Sequence, residues 1–151
     1  MTNAARYWEE IDVGEEHLSP GRTVTETDIV NFAGLSGDWN VLHTDAEFMK
    51  HSLYGERIAH GLLGLAISAG LSARAWPRPF VTLALTGLRW RFKGPIRIGD
   101  TIKVQVRVKE KREESKPDRG LVVVSRHLLN QRGEVVQEGE MDFLIARRPT
   151  Q

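Results

Sequence analysis

Between residues 101 and 110 the chain reads TIKVQVRVKE, a strict alternation of apolar and polar positions. A period of two is what a strand with one buried and one wetted face requires. Three more stretches, 80–92, 120–129 and 135–146, are rich in Val, Ile, Leu, Thr and Phe. The joints between them, Lys93-Gly94-Pro95, Ile98-Gly99-Asp100, Lys116-Pro117-Asp118 and Gln131-Arg132-Gly133, carry turn chemistry. No helical pattern intervenes between these strands, so the sheet is predicted to be antiparallel and to meander.

Upstream the period changes. Thr25 followed by Asp28 forms a capping-box pattern, and Ile29, Phe32 and Ala33 recur at helical spacing. They predict a helix of about ten residues ending near Gly34 or Gly37. Ser36-Gly37-Asp38 reads as loop. Asp45 is placed to cap a short helix over 46–51, with Phe48 and Met49 facing inward. A third helix is predicted from 58–61 to about Ala75, where Trp76-Pro77 stops it. Its sequence, GLLGLAISAGLSARAW, is apolar almost all round and studded with small residues, so it is buried on most sides. Residues 17–24 predict a short strand interrupted at Pro20-Gly21. Trp8 and Ile11 are read as small anchors on a mobile N-terminal end.

One buried helix followed by a long antiparallel sheet demands that the sheet curl around the helix. The prediction is an α+β fold in a single domain, 1–151. A sheet wound in this way leaves its edge strands open, and a second copy of the chain is the economical cover, as a homodimer or dimer of dimers.

Composition excludes more than it proposes. The 151 residues are 40% hydrophobic and 27% charged with a net charge of +1, which offers no global attraction for nucleic acid or a membrane surface. There is no cysteine, hence no disulfide, thiolate metal site or cysteine nucleophile. The start, MTNAARYWEE, lacks a basic region followed by an apolar one, so no secretory signal is read and a cytoplasmic location is the expectation.

Candidate chemistry lies between the first and third helices. A carboxylate, Asp38, precedes an imidazole, His43, in a loop-like stretch, and His60-Gly61 opens the apolar helix. On residue types alone, such an Asp and His are more often a surface hydrogen bond or a helix cap than a catalytic pair. The segment SGDWNVLHTDAEFMKHSLYGERIAHGLL resembles the hydratase motif of the MaoC-like dehydratases, the (R)-specific enoyl-CoA hydratase group of hot-dog-fold proteins. FKGPIRIGDTI is similar to the strand-turn-strand that follows the central helix in that family, and together the features cover residues 25–108.

The resemblance implies a hot-dog fold, an antiparallel sheet wrapped around one long central helix, acting on acyl thioesters of coenzyme A or acyl carrier protein. It implies that Asp38 and His43 are the catalytic pair and that the Gly61 N–H meets the thioester oxygen. Coenzyme A would enter only as part of the substrate; no other cofactor and no metal is required. One departure is visible. The family commonly has Asn-Pro between the catalytic residues, whereas Asn40 is followed here by Val41, which frees a backbone N–H and a φ angle.

The implied activity is reversible hydration of an enoyl-CoA. Asn40 is expected to hold the loop through side-chain-to-backbone hydrogen bonds, with direct substrate contact the other option. His60 is read as a structural histidine at the helix start, or a third group at the substrate. Arg89, Arg91 and Lys93 alternate along a strand and either form a solvated face or meet coenzyme A phosphates. His17, His51 and His127 have no partner in the sequence and are read as solvated. Ser68 and Ser72 are read as packing residues bonded back to their helix. Two rival functions stand beside hydration: a hot-dog thioesterase, which often carries a carboxylate on or near the central helix, and a non-catalytic acyl-binding subunit. The segment 61–73 contains neither Asp nor Glu, against the first rival.

Overall fold

The computed structural model describes residues 4–149. A capping box starts helix α1, Glu26–Ser36: Thr25 Oγ1 accepts from the Asp28 N–H, and the Asp28 carboxylate accepts from the Thr25 N–H at 2.9 Å. The helix ends at Gly37, whose φ of 76° lies in the left-handed region that glycine enters without a Cβ penalty. Asp45 caps α3, Ala46–Lys50, by accepting from the Phe48 N–H. Only one side of so short a helix meets the core, so Met49 is fully buried while Phe48 faces outward, contrary to the expectation that both point inward.

Helix α4, Gly61–Ala75, ends at Trp76 before Pro77. Leu63, Ile67 and Leu71 form its core-facing stripe and pack on Val104, Val106, Val108, Val122 and Val124. Close approach depends on Gly64, where a Cβ would collide with the Gln137 side chain and Ile96 Cδ1. The strands are β1, Glu16–Leu18; β2, Arg22–Thr23; β3, Thr82–Phe92; β4, Thr101–Glu113; β5, Arg119–Leu129; and β6, Val135–Ala146. The alternation read in 101–110 is realised in β4, where Ile102, Val104, Val106 and Val108 are all fully buried. Each such side chain contributes about 1.5–3 kcal/mol relative to exposure.

The sheet is antiparallel and runs β1-β4-β5-β6-β3, with β2 also paired to β4. Strands β4, β5 and β6 meander as predicted, but β3 does not join them in sequence order. It crosses to the far side and pairs with β6, Trp90 opposite Gly139 and Phe92 opposite Gln137. The reason lies in the 93–100 connection, which pairs back onto the chain before α4: the Ala59 N–H donates to the Ile96 carbonyl, and Ile58 bridges to Arg97. A tight β3–β4 hairpin has no room for that detour. The N-terminal stretch is anchored by Ile11 in the core and by Trp8, whose Nε1 donates to the Leu121 carbonyl at 3.1 Å. No helix among the described residues is long and apolar enough to cross a membrane.

Candidate active site

The loop expected around His43 contains a helical turn, α2, Val41–Thr44. Asn40 makes it: its side-chain oxygen accepts from the Leu42 N–H at 3.0 Å, the cap that replaces the φ restraint of a proline. Thr44 Oγ1 donates to the Trp39 and Asn40 carbonyls and ties the turn together. The turn presents a buried His43, whose Nδ1 lies 2.7 Å from the Ile58 carbonyl. A carbonyl only accepts, so Nδ1 carries the proton in the neutral ring and Nε2 carries the lone pair. That lone-pair nitrogen is 4.0 Å from Asp38 Oδ2, and the Asp38 side chain is 54% exposed, open to an incoming ligand. The Ile58 carbonyl is held in turn, because the Ile58 N–H donates to Leu42.

His60 locks the two halves together. Its Nε2 donates to the Asp38 carbonyl at 2.9 Å, and its ring stacks on His43 with centroids 3.7 Å apart and planes 27° from parallel. The Phe32 ring of α1 also packs on His60, with centroids 4.9 Å apart and planes tilted by 60°. The position expected to be a satisfied structural histidine is satisfied at one nitrogen only: Nδ1 is buried without a hydrogen-bond partner among the described residues.

His60 is also the residue that precedes α4, which places the Asp38–His43 pair at the amide end of that helix. The His60 carbonyl accepts from Gly64, directing the N–H of the same peptide, that of Gly61, outward along the axis. A Cβ on Gly61 would sit 2.8 Å from the Phe92 ring, so only glycine lets strand and helix tip approach this closely. Gln137, a residue no sequence pattern singled out, fixes the tip from below. Its Nε2 donates to the Gly61 carbonyl at 3.0 Å and its Oε1 accepts from Trp90 Nε1 at 3.0 Å. A glutamine on the same alternation as Gly139 and Met141, with Glu138, Glu140 and Asp142 on the other, is the signal that marks it.

A cavity of about 560 Å³ begins one residue beyond Gly61 and follows α4 between Leu62 and Trp76, with Leu85 and Leu88 of β3, Val124 of β5 and Met141 and Phe143 of β6 as its other walls. Ser72 also lines it, while Ser68 Oγ donates back to the Leu65 carbonyl as expected of a packing residue. The one charged residue among the lining groups is Arg126.

The strand cations lie elsewhere. Arg89, Arg91 and Lys93 alternate with Trp90 and Phe92, whose rings lie on the α4 side, and so project from the side of the sheet away from α4. Arg89 is held by Asp142 and Glu140, and its hydrogen bond pulls the Asp142 carboxyl below the usual carboxylate range. Lys93 pairs with Glu138 at 3.3 Å. Arg91 makes no ion pair among the described residues. His17, read as solvated, instead pairs with Glu15 at 2.8 Å and meets the edge of Trp76; His127 sits 3.9 Å from Glu138.

Asp38, His43 and His60 bring possible ligand atoms within 4.8 Å of one another. Each ring, however, has one nitrogen on a carbonyl, and stacking aims the remaining lone pairs along near-parallel planes rather than at one point. The cluster suits a proton-handling pair backed by a ring better than it suits a shared ion.

The chain is similar to known proteins over most of its length. The MaoC like domain matches residues 11–127. Protein MaoC of Klebsiella aerogenes is 44% identical over 107 residues, 70% of this chain but 31% of that protein, so the chain spans under a third of that relative. An (R)-specific enoyl-CoA hydratase of Rhodospirillum rubrum is 33% identical over 142 residues, 94% of this chain and 93% of its own. Among solved structures, a monoamine oxidase regulatory protein from Archaeoglobus fulgius superposes with a TM-score of 0.91 at 37% identity, over 99% of both chains. The domain match over residues 11–127 and the near full-length relative in Rhodospirillum together make this chain a member of the MaoC-like dehydratase family, with the hot-dog arrangement of sheet and helix.

Proposed function

We propose that the protein adds water reversibly across the α,β double bond of an enoyl thioester, with the acyl chain in the cavity along α4 and the thioester carbonyl at the Gly61 N–H. The observation that carries this reading is the 4.0 Å gap between His43 Nε2 and Asp38 Oδ2 at the amide end of α4. A water oxygen roughly 2.8 Å from each group fits that gap, with one O–H pointing at each acceptor. One of its two lone pairs faces Cβ of the substrate. As the O–Cβ bond forms, one O–H bond breaks and its proton passes to the pair. The π electrons move through Cα onto the thioester oxygen, which the Gly61 N–H and the helix dipole stabilise. The proton then returns from the pair to Cα, on the face from which water came, and the carbonyl re-forms. A hydrogen-bond donor placed in this way is worth on the order of 3 kcal/mol.

Hydration destroys the conjugated double bond, so adding the protein to a crotonyl-type CoA should bleach the ultraviolet band of the enoyl thioester. The same protein should leave a saturated acyl-CoA intact, because α4 carries no carboxylate to attack or activate water at the thioester. Release of free thiol from the saturated compound, with the enoyl band unchanged, would identify a thioesterase.

The open edge of β3 belongs to the same proposal. Leu83, Leu85, Leu88 and Phe92 are each about half exposed along an eleven-residue strand whose outer edge has no partner among the described residues. Long apolar edges of this kind pair with another strand or aggregate. Pairing β3 with β3 of a second copy about a two-fold axis covers both edges at once. Sedimentation should give twice the 17.0 kDa chain mass, and a monomer at micromolar concentration would reject the pairing.

A further inference from the structure

Arg126 is 5% exposed, yet its guanidinium has no carboxylate opposite it among the described residues. Among the described residues Nε and Nη1 are buried without a hydrogen-bond partner, and the guanidinium carbon lies 5.6 Å from the centroid of the Phe143 ring. Its place in the sheet explains why. The cross-strand neighbours are Val106 and Gly139, and the same-face neighbours along β5 are Val124 and Leu128. None offers a side-chain oxygen. Burial without a compensating charge pulls the guanidinium down to about 10. A buried charge left in this state is a standing cost unless something that visits the site relieves it.

The visitor has to come through the cavity, since Arg126 lines it amid apolar walls. Its distance from the helix tip follows from the register. Gln137, which holds Gly61, lies opposite Leu128, and Arg126 is two residues further along β5, about 7 Å. We infer that Arg126 is the specificity residue for an acyl group bearing a carboxylate at its far end, so that the substrate class is the thioester of a short dicarboxylic acid rather than of a plain fatty acid. A carboxylate there accepts hydrogen bonds from the orphaned guanidinium nitrogens and neutralises the buried charge, the pairing for which guanidinium geometry is suited. This inference rests on the cavity being the acyl pocket of the proposed hydratase.

The test uses two saturated six-carbon probes that differ only at the far end, adipoyl-CoA and hexanoyl-CoA, titrated calorimetrically into the full chain. Wild type should bind adipoyl-CoA at least tenfold tighter. Arg126→Met should abolish or invert that preference, and Arg126→Lys should retain part of it. Equal affinity of wild type for the two probes, or a preference that survives Arg126→Met, overturns the inference. So does wild-type preference for hexanoyl-CoA, the result expected if a partner copy supplied a carboxylate to Arg126. Should Arg126→Met fail to fold by circular dichroism, the wild-type ratio and the Lys variant still decide. The hydratase reading is tested apart, with the 2-enoyl forms of both probes. Preference for the carboxylate without loss of either double bond would uphold Arg126 and reject hydration; hydration without preference would do the reverse.

Discussion

Asp38→Asn and His43→Gln should each lower hydration of an enoyl-CoA by about 10² to 10⁴-fold, the range for removing a general acid–base group. That corresponds to roughly 3–5 kcal/mol of lost transition-state stabilisation. The Asn variant is the more informative because it changes so little. It keeps an oxygen to accept from the Asn40 N–H, as Asp38 Oδ1 does at 3.2 Å. It also leaves the Asp38 carbonyl on His60. What it removes is the second acceptor. An amide NH₂ in place of Oδ2 donates and cannot accept, so a water in the 4.0 Å gap is left with His43 Nε2 as its single acceptor of the pair. The Gln variant removes the lone pair itself and the stack on His60. If both residues grip one water, as proposed, the double variant should be scarcely slower than the worse single one. Melting temperatures within a few degrees of wild type would show that the losses are chemical. Near-normal turnover in either single variant would reject the pair as the reacting groups.

Why the pair was visible in the sequence, and much around it was not, has a physical basis. Capping and alternation are local, so the Thr25–Asp28 box, the Gly37 stop, the Asp45 cap and the buried face of β4 could all be read from neighbours a few residues apart. Asp38, His43 and Gly61 were likewise found in one continuous motif. The contacts that make them a site are long-range. His60 reaches back to the Asp38 carbonyl across 22 residues, and Gln137 reaches Gly61 across 76. The swap of β3 to the far side of β6 sets Phe92 opposite Gln137 and brings Trp90 Nε1 within 3.0 Å of the Gln137 side chain, and nothing local announces it. Arg126 was hidden for a simpler reason: it stands in GLVVVSRHLL, where an arginine next to a histidine reads as the wet end of a strand. Alternation in fact assigns it to the inner face with Val122, Val124 and Leu128, all buried.

The largest stability effect should come from Gly139→Ala. Gly139 sits in the middle of β6 between Trp90 on one side and Arg126 on the other. A Cβ there would run into the Arg89 carbonyl oxygen and lie 2.5 Å from Trp90 Cε3 and 2.9 Å from Trp90 Cα. Two of those three atoms are backbone, so no rotamer change relieves the collision and β3 must move away from β6. Overpacking costs about 1–3 kcal/mol where side chains can adjust, and more where they cannot. For a domain of this size about 3 kcal/mol corresponds to a melting temperature lower by roughly 6–12 °C. Gly34→Ala is the control, since a Cβ at that position in α1 meets nothing within 4 Å. It should be neutral or stabilising by up to about 1 kcal/mol through helix propensity. The Gly139 lesion should also reach the helix tip: a displaced Trp90 withdraws Nε1 from Gln137, and Gln137 then holds the Gly61 carbonyl less firmly. Folded Gly139→Ala protein, assayed well below its melting point, should therefore turn over more slowly than wild type, whereas Gly34→Ala should not. A Gly139 variant that melts with wild type would mean that β3 yields far more easily than its nine paired residues with β6 imply.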